Sequence, residues 1–365
     1  MTPSRSRPLT SAGSRALSAV AREHLDRGWH HGAQLAVYRD GVLRLDERLG
    51  AAAPAEARML WFSATKPLTA VCILMLAERG QLDLDRPIAD VWPEFGEGGK
   101  AACTPRHVLT HRGGFPIFPR DFDWASIGDW DAVTRAVAGL AAQWESGAEV
   151  GYHPVTYGFV LGELIRRVDG RMPREFMRDE LFGPIGMEAS LGVDQHDLSC
   201  VVPVEAMSEV TFEDPEGVER RTSEMVERFN RPSTLMAQIP AANAVGTAEA
   251  LARFYAMLEQ GGSLGETTVL RPETVADATR VQAESVADRT TGLPSSYGLG
   301  FMVGGIWEPY AASGVFGHGG QQCAIGYADP SSGLALAYIT NGLQDPATYM
   351  RRIEDVVAAA RAASE

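Results

Sequence analysis

Strand patterns lie near both ends of this chain, and helical patterns occupy the middle. Close to the start, residues 33–38 and 42–47 flank Asp40-Gly41, and Asp-Gly between two alternating segments is a strong signal for a β-hairpin. Close to the end, residues 297–303, 322–328 and 334–340 also read as strands. Strands at both ends with helices between them predict an antiparallel sheet that is interrupted by a helix-rich insertion.

Helices are predicted from apolar periodicity and from their end signals. The middle of the chain holds four such segments, residues 65–79, 105–110, 154–168 and 173–181. A helix near each terminus, the last over 349–363, would cover the sheet. The predicted fold is α+β with two lobes: residues 1–66 and 238–365 form the lobe with the antiparallel sheet, and residues 67–237 form a mainly helical lobe with long surface loops.

Composition limits the classes of partner. The chain has 365 residues, 45% of them hydrophobic, and a formal net charge of -14. This acidic balance argues against binding to nucleic acid or to an anionic membrane surface. The first residues contain no apolar run of the length that a signal or membrane helix needs, so we expect a cytoplasmic protein. The four scattered cysteines lack metal or redox spacing, and we expect reduced thiols, no metal and no cofactor.

The chain uses lysine only twice among its 33 basic residues, as Lys66 and Lys100. Lys66 follows Ser63 by three positions, which places the two side chains on one face of a helical turn. A desolvated lysine can lose its proton and act as a base, whereas arginine cannot. Ser63 and Lys66 are therefore a candidate nucleophile and base, although this spacing also arises by chance. Lys100, in a glycine-rich stretch, is expected to be solvated.

Two further motifs supply chemistry that a serine nucleophile would need. Tyr152 stands just before Pro154, which is typical of a helix start, so its phenol could enter a cleft and relay protons. The glycine-rich stretch 317–322 leads into a predicted strand, where glycine lets the backbone approach a ligand closely. A free amide near Gln321 could then act with the amide of Ser63 as an oxyanion hole.

Two long segments have open interpretations. The loop 113–130 is rich in aromatic residues, including Phe115 and Trp124, which either line a pocket or fill the core; we favour the pocket. The polar stretch 200–237 is expected to be a long surface excursion, either a lid or binding wall or a solvated connector.

These motifs occur in the order seen in the serine β-lactamase and penicillin-binding-protein superfamily, and the chain resembles its class C branch and the related family VIII carboxylesterases. The matching segments are Ser63-Ala64-Thr65-Lys66, residues 80–88, residues 108–116, residues 240–247 and the glycine run 317–320. The resemblance implies the β-lactamase/transpeptidase-like fold. It also implies Ser63 as the acylated nucleophile, Lys66 and Tyr152 as the proton-transfer pair, and the amides of Ser63 and Gln321 as the oxyanion hole.

The chain departs from the family pattern at two places. The family's Tyr-x-Asn reads Tyr152-His153-Pro154, and its Lys-Thr-Gly reads His318-Gly319-Gly320. The family's lysine and threonine are expected to anchor a substrate carboxylate, so their loss favours esters over β-lactams. We expect an esterase for small carboxylic esters with weak or no β-lactamase activity. The predicted substrate-binding residues come from these two motifs and from the aromatic loop: His318, Gly319, Gly320, His153, Phe115 and Trp124.

Several alternatives remain open. An acyltransferase, a β-lactamase or a D-aminopeptidase would use the same site, and a catalytically silent binding protein could keep the scaffold. An α/β-hydrolase with 318–320 as its oxyanion loop is set aside. A metal site at His107 and His111 is also disfavoured, because Val108 stands where His-Glu-x-x-His has its glutamate. The expected partner is a small-molecule acyl substrate, and the sequence leaves the oligomeric state undetermined.

Overall fold

The computed structural model of the protein describes residues 11–213, 219–304 and 314–363. Within them the α-helices are α1 Ser11–Asp26, α2 Lys66–Glu78, α3 Pro105–Leu109, α4 Trp130–Ala138, α5 Thr156–Asp169, α6 Pro173–Phe176, α7 Gly183–Ile185, α8 Thr222–Asn230, α9 Pro232–Met236, α10 Ala248–Glu259, α11 Pro272–Ala278 and α12 Pro346–Ala362. Short 3-10 helices span Phe62–Thr65, Ile88–Asp90, Pro93–Gly96, Trp124–Ser126 and Gln195–Cys200, and a π-helix spans Met177–Phe182.

The strands form one large sheet and several small ones. In chain order they are β1 Gly32–Arg39, β2 Val42–Gly50, β3 Met59–Leu60, β4 Ala189–Leu191, β5 Glu205–Ala206, β6 Thr211–Glu213, β7 Glu219–Arg221, β8 Ala244–Gly246, β9 Ser263–Leu264, β10 Thr267–Thr268, β11 Ala283–Ser285, β12 Ser295–Tyr297, β13 Met302–Val303, β14 Phe316–Gly320, β15 Ala324–Asp329, β16 Leu334–Thr340 and β17 Gly342–Leu343. The large sheet has eight strands in the order β11-β12-β13-β14-β15-β16-β1-β2.

This sheet joins the two ends of the chain as predicted. β1 pairs antiparallel with β2 on one side and with β16 on the other. Asp40 and Gly41 form the turn of the β1–β2 hairpin with φ of 49° and 70°, the left-handed values that a two-residue turn of this kind requires. The α+β fold with an antiparallel sheet and flanking helices is therefore confirmed.

Side chains alternate between the two faces of the sheet. Leu35, Val37 and Leu336 belong to the apolar cluster that includes residues of α1 and α12. Ala36, Ala337 and Ile339 belong to the larger cluster that contains α10 and the helical part of the chain. The terminal helices thus cover one face, α10 covers the other, and α2 lies in the middle of the larger core.

The predicted strand 297–303 is wrong as a single element. The chain forms β12 and β13 there, joined by a turn in which the amide of Gly298 donates to the carbonyl of Phe301. Gly300 has φ of 88°, and a Cβ on it would lie 2.2 Å from Cβ of Ala70 in α2. The turn therefore lets the chain reverse directly against α2, which a continuous strand could not do.

The polar segment 200–237 is more ordered than predicted. It contains α8 and α9, and β5 pairs in parallel with β17. Phe229 of α8 packs 4.8 Å from the ring of Phe62. The described part of the segment therefore contains regular elements and contacts the core through Phe229, and is not a loop throughout. The division of the chain at residues 66 and 237 remains a prediction.

Two further sequence expectations concern the state of the cysteines and the absence of a membrane-spanning helix. The four cysteines are free, with Cys200 partly exposed and the other three buried, as expected. Within the described ranges, no helix has the length and apolar character to cross a membrane.

Candidate active site

Ser63 lies in a short 3-10 turn immediately before α2. The amide of Trp61 donates to the carbonyl of Ala244 in β8, which fixes the entrance to this turn. Phe62 then adopts a φ of 46°, a left-handed value that is unusual for a bulky residue. This sharp change of direction places Ser63 at the edge of a cavity instead of inside the helix.

Lys66 is the first residue of α2 and is fully buried. Its Nζ lies 3.0 Å from Ser63 Oγ, 2.8 Å from the carbonyl oxygen of Pro154 and 3.1 Å from that of Ala241. Burial lowers the pKa of Lys66 well below its usual range. A neutral amine suits these contacts, because its two N–H groups can donate to the two carbonyls while its lone pair faces the serine hydroxyl.

Tyr152 is the third predicted catalytic residue, and it lies next to Lys66. Lys66 Nζ lies 4.8 Å from the centre of the Tyr152 ring, and the amide of Tyr152 donates to the carboxylate of Asp288. Burial raises the pKa of Tyr152, and a hydrogen bond with Ser63 partly opposes this rise. Since burial moves the two pKa values in opposite directions, Lys66 is the member of the pair that loses its proton first.

The glycine run forms most of β14 rather than the approach to a strand. A Cβ on Gly320 would lie 2.1 Å from the carbonyl oxygen of Trp61, so glycine allows β14 to lie against the turn that carries Ser63. Gln321 follows directly and lines the same cavity as Ser63. Among the described turn, loop and cap hydrogen bonds of the main chain, none has the amide of Ser63 or of Gln321 as its donor, and the oxyanion role of these two amides remains a prediction.

His318 lies in β14 and lines this cavity. Its Nδ1 is 2.6 Å from the carbonyl oxygen of Gly319, which must accept the hydrogen. Burial lowers the pKa of His318 to about 3. The ring is therefore neutral at physiological pH. Its buried Nε2 has no hydrogen-bond partner in the described part of the chain and, with Nδ1 protonated, is an acceptor.

The cavity beside Ser63 has a volume of about 360 Å³. Its lining includes the polar side chains of Ser63, Tyr152, His318 and Gln321. The apolar part of the lining, called here the wall of the cavity, consists of Leu293, Pro294, Tyr297, Met302, Ile325, Pro346, Tyr349 and Met350. The described residues that line the cavity include no Lys, Arg, Asp or Glu.

Three predicted substrate-binding residues do not line this cavity. Phe115 is buried in the core against Phe95, with ring centroids 5.3 Å apart. Trp124 packs with Phe118, and its Nε1 donates to Thr234 Oγ1. Phe115 therefore belongs to the core, and the partly buried Trp124 packs against it, so neither aromatic ring forms the predicted pocket.

The third is His153, which is fully buried behind Tyr152. Its Nε2 accepts from the amide of Phe115, and its Nδ1 donates to the carbonyl of Gly151. Because both ring nitrogens are occupied within the protein, His153 has no group left for a substrate. It supports the backbone next to Tyr152.

Sequence reasoning missed the apolar wall of the cavity. Tyr297 and Met302 come from β12 and β13, and Tyr349 and Met350 come from α12. The apolar face of α12 indicated only that this helix covers the sheet. Asp288 was also missed, since a turn pattern around Thr290 and Thr291 gives no sign of its contact with Tyr152.

Other candidate motifs have local structural roles. His107 Nδ1 accepts from the amide of Thr104, and His111 Nδ1 accepts from the amide of His153. These nitrogens are therefore bonded within the protein, which gives no support to a metal site shared by the two histidines. A Gly-x-Ser-x-Gly sequence, typical of α/β-hydrolases, occurs at residues 261–265. It lies in the β9–β10 hairpin with Ser263 Oγ 2.9 Å from Thr268 Oγ1, not between a strand and a helix. In the described part of the chain, Asp194, His196 and Asp197 lie close enough to hold a metal ion, but all three are exposed.

The sheet with its flanking helices and the serine, lysine and tyrosine at one cavity define a serine hydrolase of the β-lactamase fold. The chain belongs to the Beta-lactamase family, whose sequence profile matches residues 17–360. It is 31% identical over 342 residues to the Esterase/beta-lactamase LipL of Mycobacterium tuberculosis, covering 86% of this chain and 78% of LipL.

Solved structures agree with this assignment. A penicillin-binding-protein homologue from Caulobacter crescentus superposes with a TM-score of 0.81 and 29% identity, covering 98% of this chain and 100% of that one. A family VIII carboxylesterase superposes with a TM-score of 0.85 and 23% identity, covering 99% and 100% of the two chains. The latter similarity concerns the fold alone.

Proposed function

We propose that this protein is an esterase that hydrolyses small, uncharged carboxylic esters through an acyl-enzyme on Ser63. The observation that carries the proposal is the cavity beside Ser63, whose described lining has no charged side chain and where a neutral His318 stands in place of the family's lysine. A substrate carboxylate would lose its hydration there without gaining a cation. An ester with a small apolar group would bury that group against the wall of Tyr297, Met302 and Met350.

Acylation begins with the Ser63 hydroxyl. Neutral Lys66 takes its proton, and Ser63 Oγ forms a bond to the carbonyl carbon of the ester. The carbonyl oxygen becomes an oxyanion that accepts from the amides of Ser63 and Gln321. The intermediate then expels the alcohol oxygen, which takes the phenolic proton of Tyr152, and the Lys66 ammonium returns a proton to Tyr152. The serine proton thus leaves with the alcohol.

Deacylation repeats these steps with water. Lys66 takes a proton from a water molecule that attacks the acyl carbon, and the same two amides hold the second oxyanion. Collapse breaks the bond between the acyl carbon and Ser63 Oγ, the Lys66 ammonium gives its proton to Ser63 Oγ, and the carboxylic acid leaves. Lys66 and Tyr152 finish in their starting states, as a complete catalytic cycle requires.

Two measurements test the proposal. A fluorophosphonate probe followed by peptide mass mapping is expected to label Ser63, and labelling elsewhere, or none, would overturn the nucleophile assignment. A p-nitrophenyl ester is then compared with a chromogenic cephalosporin that carries a carboxylate. We expect a larger kcat/KM for the ester, and faster turnover of the cephalosporin would contradict the proposed substrate class.

A further inference from the structure

Asp288 is a buried carboxylate in the loop between β11 and β12, with 1% of its surface exposed. Every hydrogen bond recorded for its carboxylate comes from a neutral amide or hydroxyl. A buried charge is costly unless its surroundings hold it in one geometry. The position of these donors therefore indicates what the residue holds in place.

One group of donors belongs to the loop itself. The amides of Thr290 and Thr291 lie 2.9 Å and 3.1 Å from Oδ1, and Ser295 Oγ lies 3.3 Å from Oδ2. The main chain closes the same loop, because the amide of Asp288 donates to the carbonyl of Leu293. This loop supplies Thr291, Leu293, Pro294 and Ser295 to the cavity lining. Asp288 thus shapes one wall of the cavity.

The other donor belongs to the segment that carries Tyr152. The amide of Tyr152 lies 2.9 Å from Oδ1 and 3.0 Å from Oδ2 of Asp288. The next residue, Arg289, donates its amide to the carbonyl of Val150, which adds a second link between the two segments. Tyr297 Oη lies 3.4 Å from Oδ2, and the Tyr297 ring stacks on that of Tyr152 with centroids 6.4 Å apart.

We propose that Asp288 is a positioning residue for the reaction: it joins the backbone of Tyr152 to the 288–295 loop, so that the phenol and one wall of the cavity are held as a unit. The inference rests on the proposed function, because it assigns Tyr152 to proton transfer. A shift of about 1 Å in a catalytic group can lower the rate about 100-fold.

Asp329 provides a matched control. It is also buried, and its Oδ1 accepts from the amides of Ser331 and Ser332 in the β15–β16 turn. β15 begins at Ala324, which pairs with Gly320 beside the active site, and Asp329 is at the opposite end of the strand. Asp329 therefore stabilises a turn in a similar way without reaching Tyr152.

The test is a double-mutant cycle of D288A and Y152F, with kcat and KM measured on an alkyl ester such as ethyl butyrate, whose alcohol, unlike p-nitrophenol, leaves only when it is protonated. D288A is expected to lower kcat about 30- to 100-fold in the wild-type background and less than about 3-fold in the Y152F background. KM is expected to rise in both backgrounds because the wall of the cavity loosens. D288N keeps one acceptor oxygen for the Tyr152 amide, so its kcat is expected to be about 10-fold higher than that of D288A. If D288A does not fold, D288N replaces it in the double-mutant cycle.

D329A is expected to change kcat less than about 2-fold even if it lowers the melting temperature as much as D288A. An equal loss of kcat from the Asp288 substitution in both backgrounds, or from D329A, would overturn the positioning role while leaving the esterase assignment intact. Failure of the fluorophosphonate probe to label Ser63 of the wild-type protein would overturn the proposed function itself, and this inference with it.

Discussion

Lys66 Nζ lies 3.0 Å from Ser63 Oγ, and its other two hydrogen-bonding partners are main-chain carbonyls, those of Pro154 and Ala241. No carboxylate takes part in these three contacts. A buried ammonium in this position would lack a counter-ion, whereas a neutral amine keeps both of its hydrogens bonded. The geometry therefore favours the protonation state in which Lys66 can act as a base.

The first prediction follows from this protonation state. K66R keeps a cation but removes a group that can lose its proton, so acylation of Ser63 is expected to fall by about 1,000-fold or more. Fluorophosphonate labelling and p-nitrophenyl acetate hydrolysis measure the loss. K100R changes the other lysine and is the control, with kcat/KM per folded molecule expected within about 3-fold of wild type. Activity of K66R near the wild-type level would exclude Lys66 as the base.

The second prediction concerns pH. Because burial lowers the pKa of Lys66, kcat/KM for a neutral ester is expected to be lost as pH falls through that pKa and to be restored above it. Burial raises the pKa of Tyr152, so the alkaline decline is expected above the ordinary tyrosine value of about 10. The pKa of His318 is lowered to about 3, so its ionisation is not expected in the profile above about pH 5.

The pH profile of H318Q tests the last point. This variant is expected to keep the midpoint of the acid decline, whatever its effect on the maximal rate. A shift of that midpoint by more than about one pH unit would assign the decline to His318 in place of Lys66.

The third prediction corrects the expectation that Lys100 is solvated. Lys100 is fully buried, and its Nζ donates to the carbonyls of Glu97, Ala138 and Leu140. It ties the glycine-rich turn to the end of α4. K100M is expected to lower the free energy of unfolding by about 2–4 kcal/mol, because it leaves these buried carbonyls without a donor.

Urea denaturation measures this change. K100R is also expected to destabilise the protein, because the guanidinium is larger than the site that the amine occupies. Unchanged stability of both variants would show that the three contacts contribute little.

The fourth prediction concerns Arg352, a buried residue of α12. Its guanidinium donates to the carbonyls of Gln322 and Gly342, and so supports the turn that presents the amide of Gln321. R352M is expected to lower kcat/KM about 10-fold, because the oxyanion donor loses its fixed position. Its neighbour Arg351 is exposed and pairs with Asp355, so R351M is the control and should leave the rate unchanged. Equal rates for R352M and wild type would contradict this role.

Several features of the fold and the site could be predicted from local sequence. Asp40-Gly41 gives the β1–β2 hairpin, and the helix after Ser63 brings Lys66 next to it, because backbone geometry over a few residues decides both. The predicted strand 297–303 and the pocket role of Phe115 were wrong for a different reason. Close packing against α2 breaks the strand, and burial in the core removes the aromatic ring from the cavity.

By itself, the sequence determined the fold class, the family resemblance and the pairing of a serine with a lysine one turn away. Only the tertiary structure decided how the environment of that lysine is built. The carbonyls of Pro154 and Ala241 lie 88 and 175 positions from Lys66, and the wall of the cavity comes from β12, β13 and α12. Desolvation, the shift of a pKa and the neutrality of a cavity depend on every group within a few ångströms, and distant parts of the chain become neighbours only when it packs.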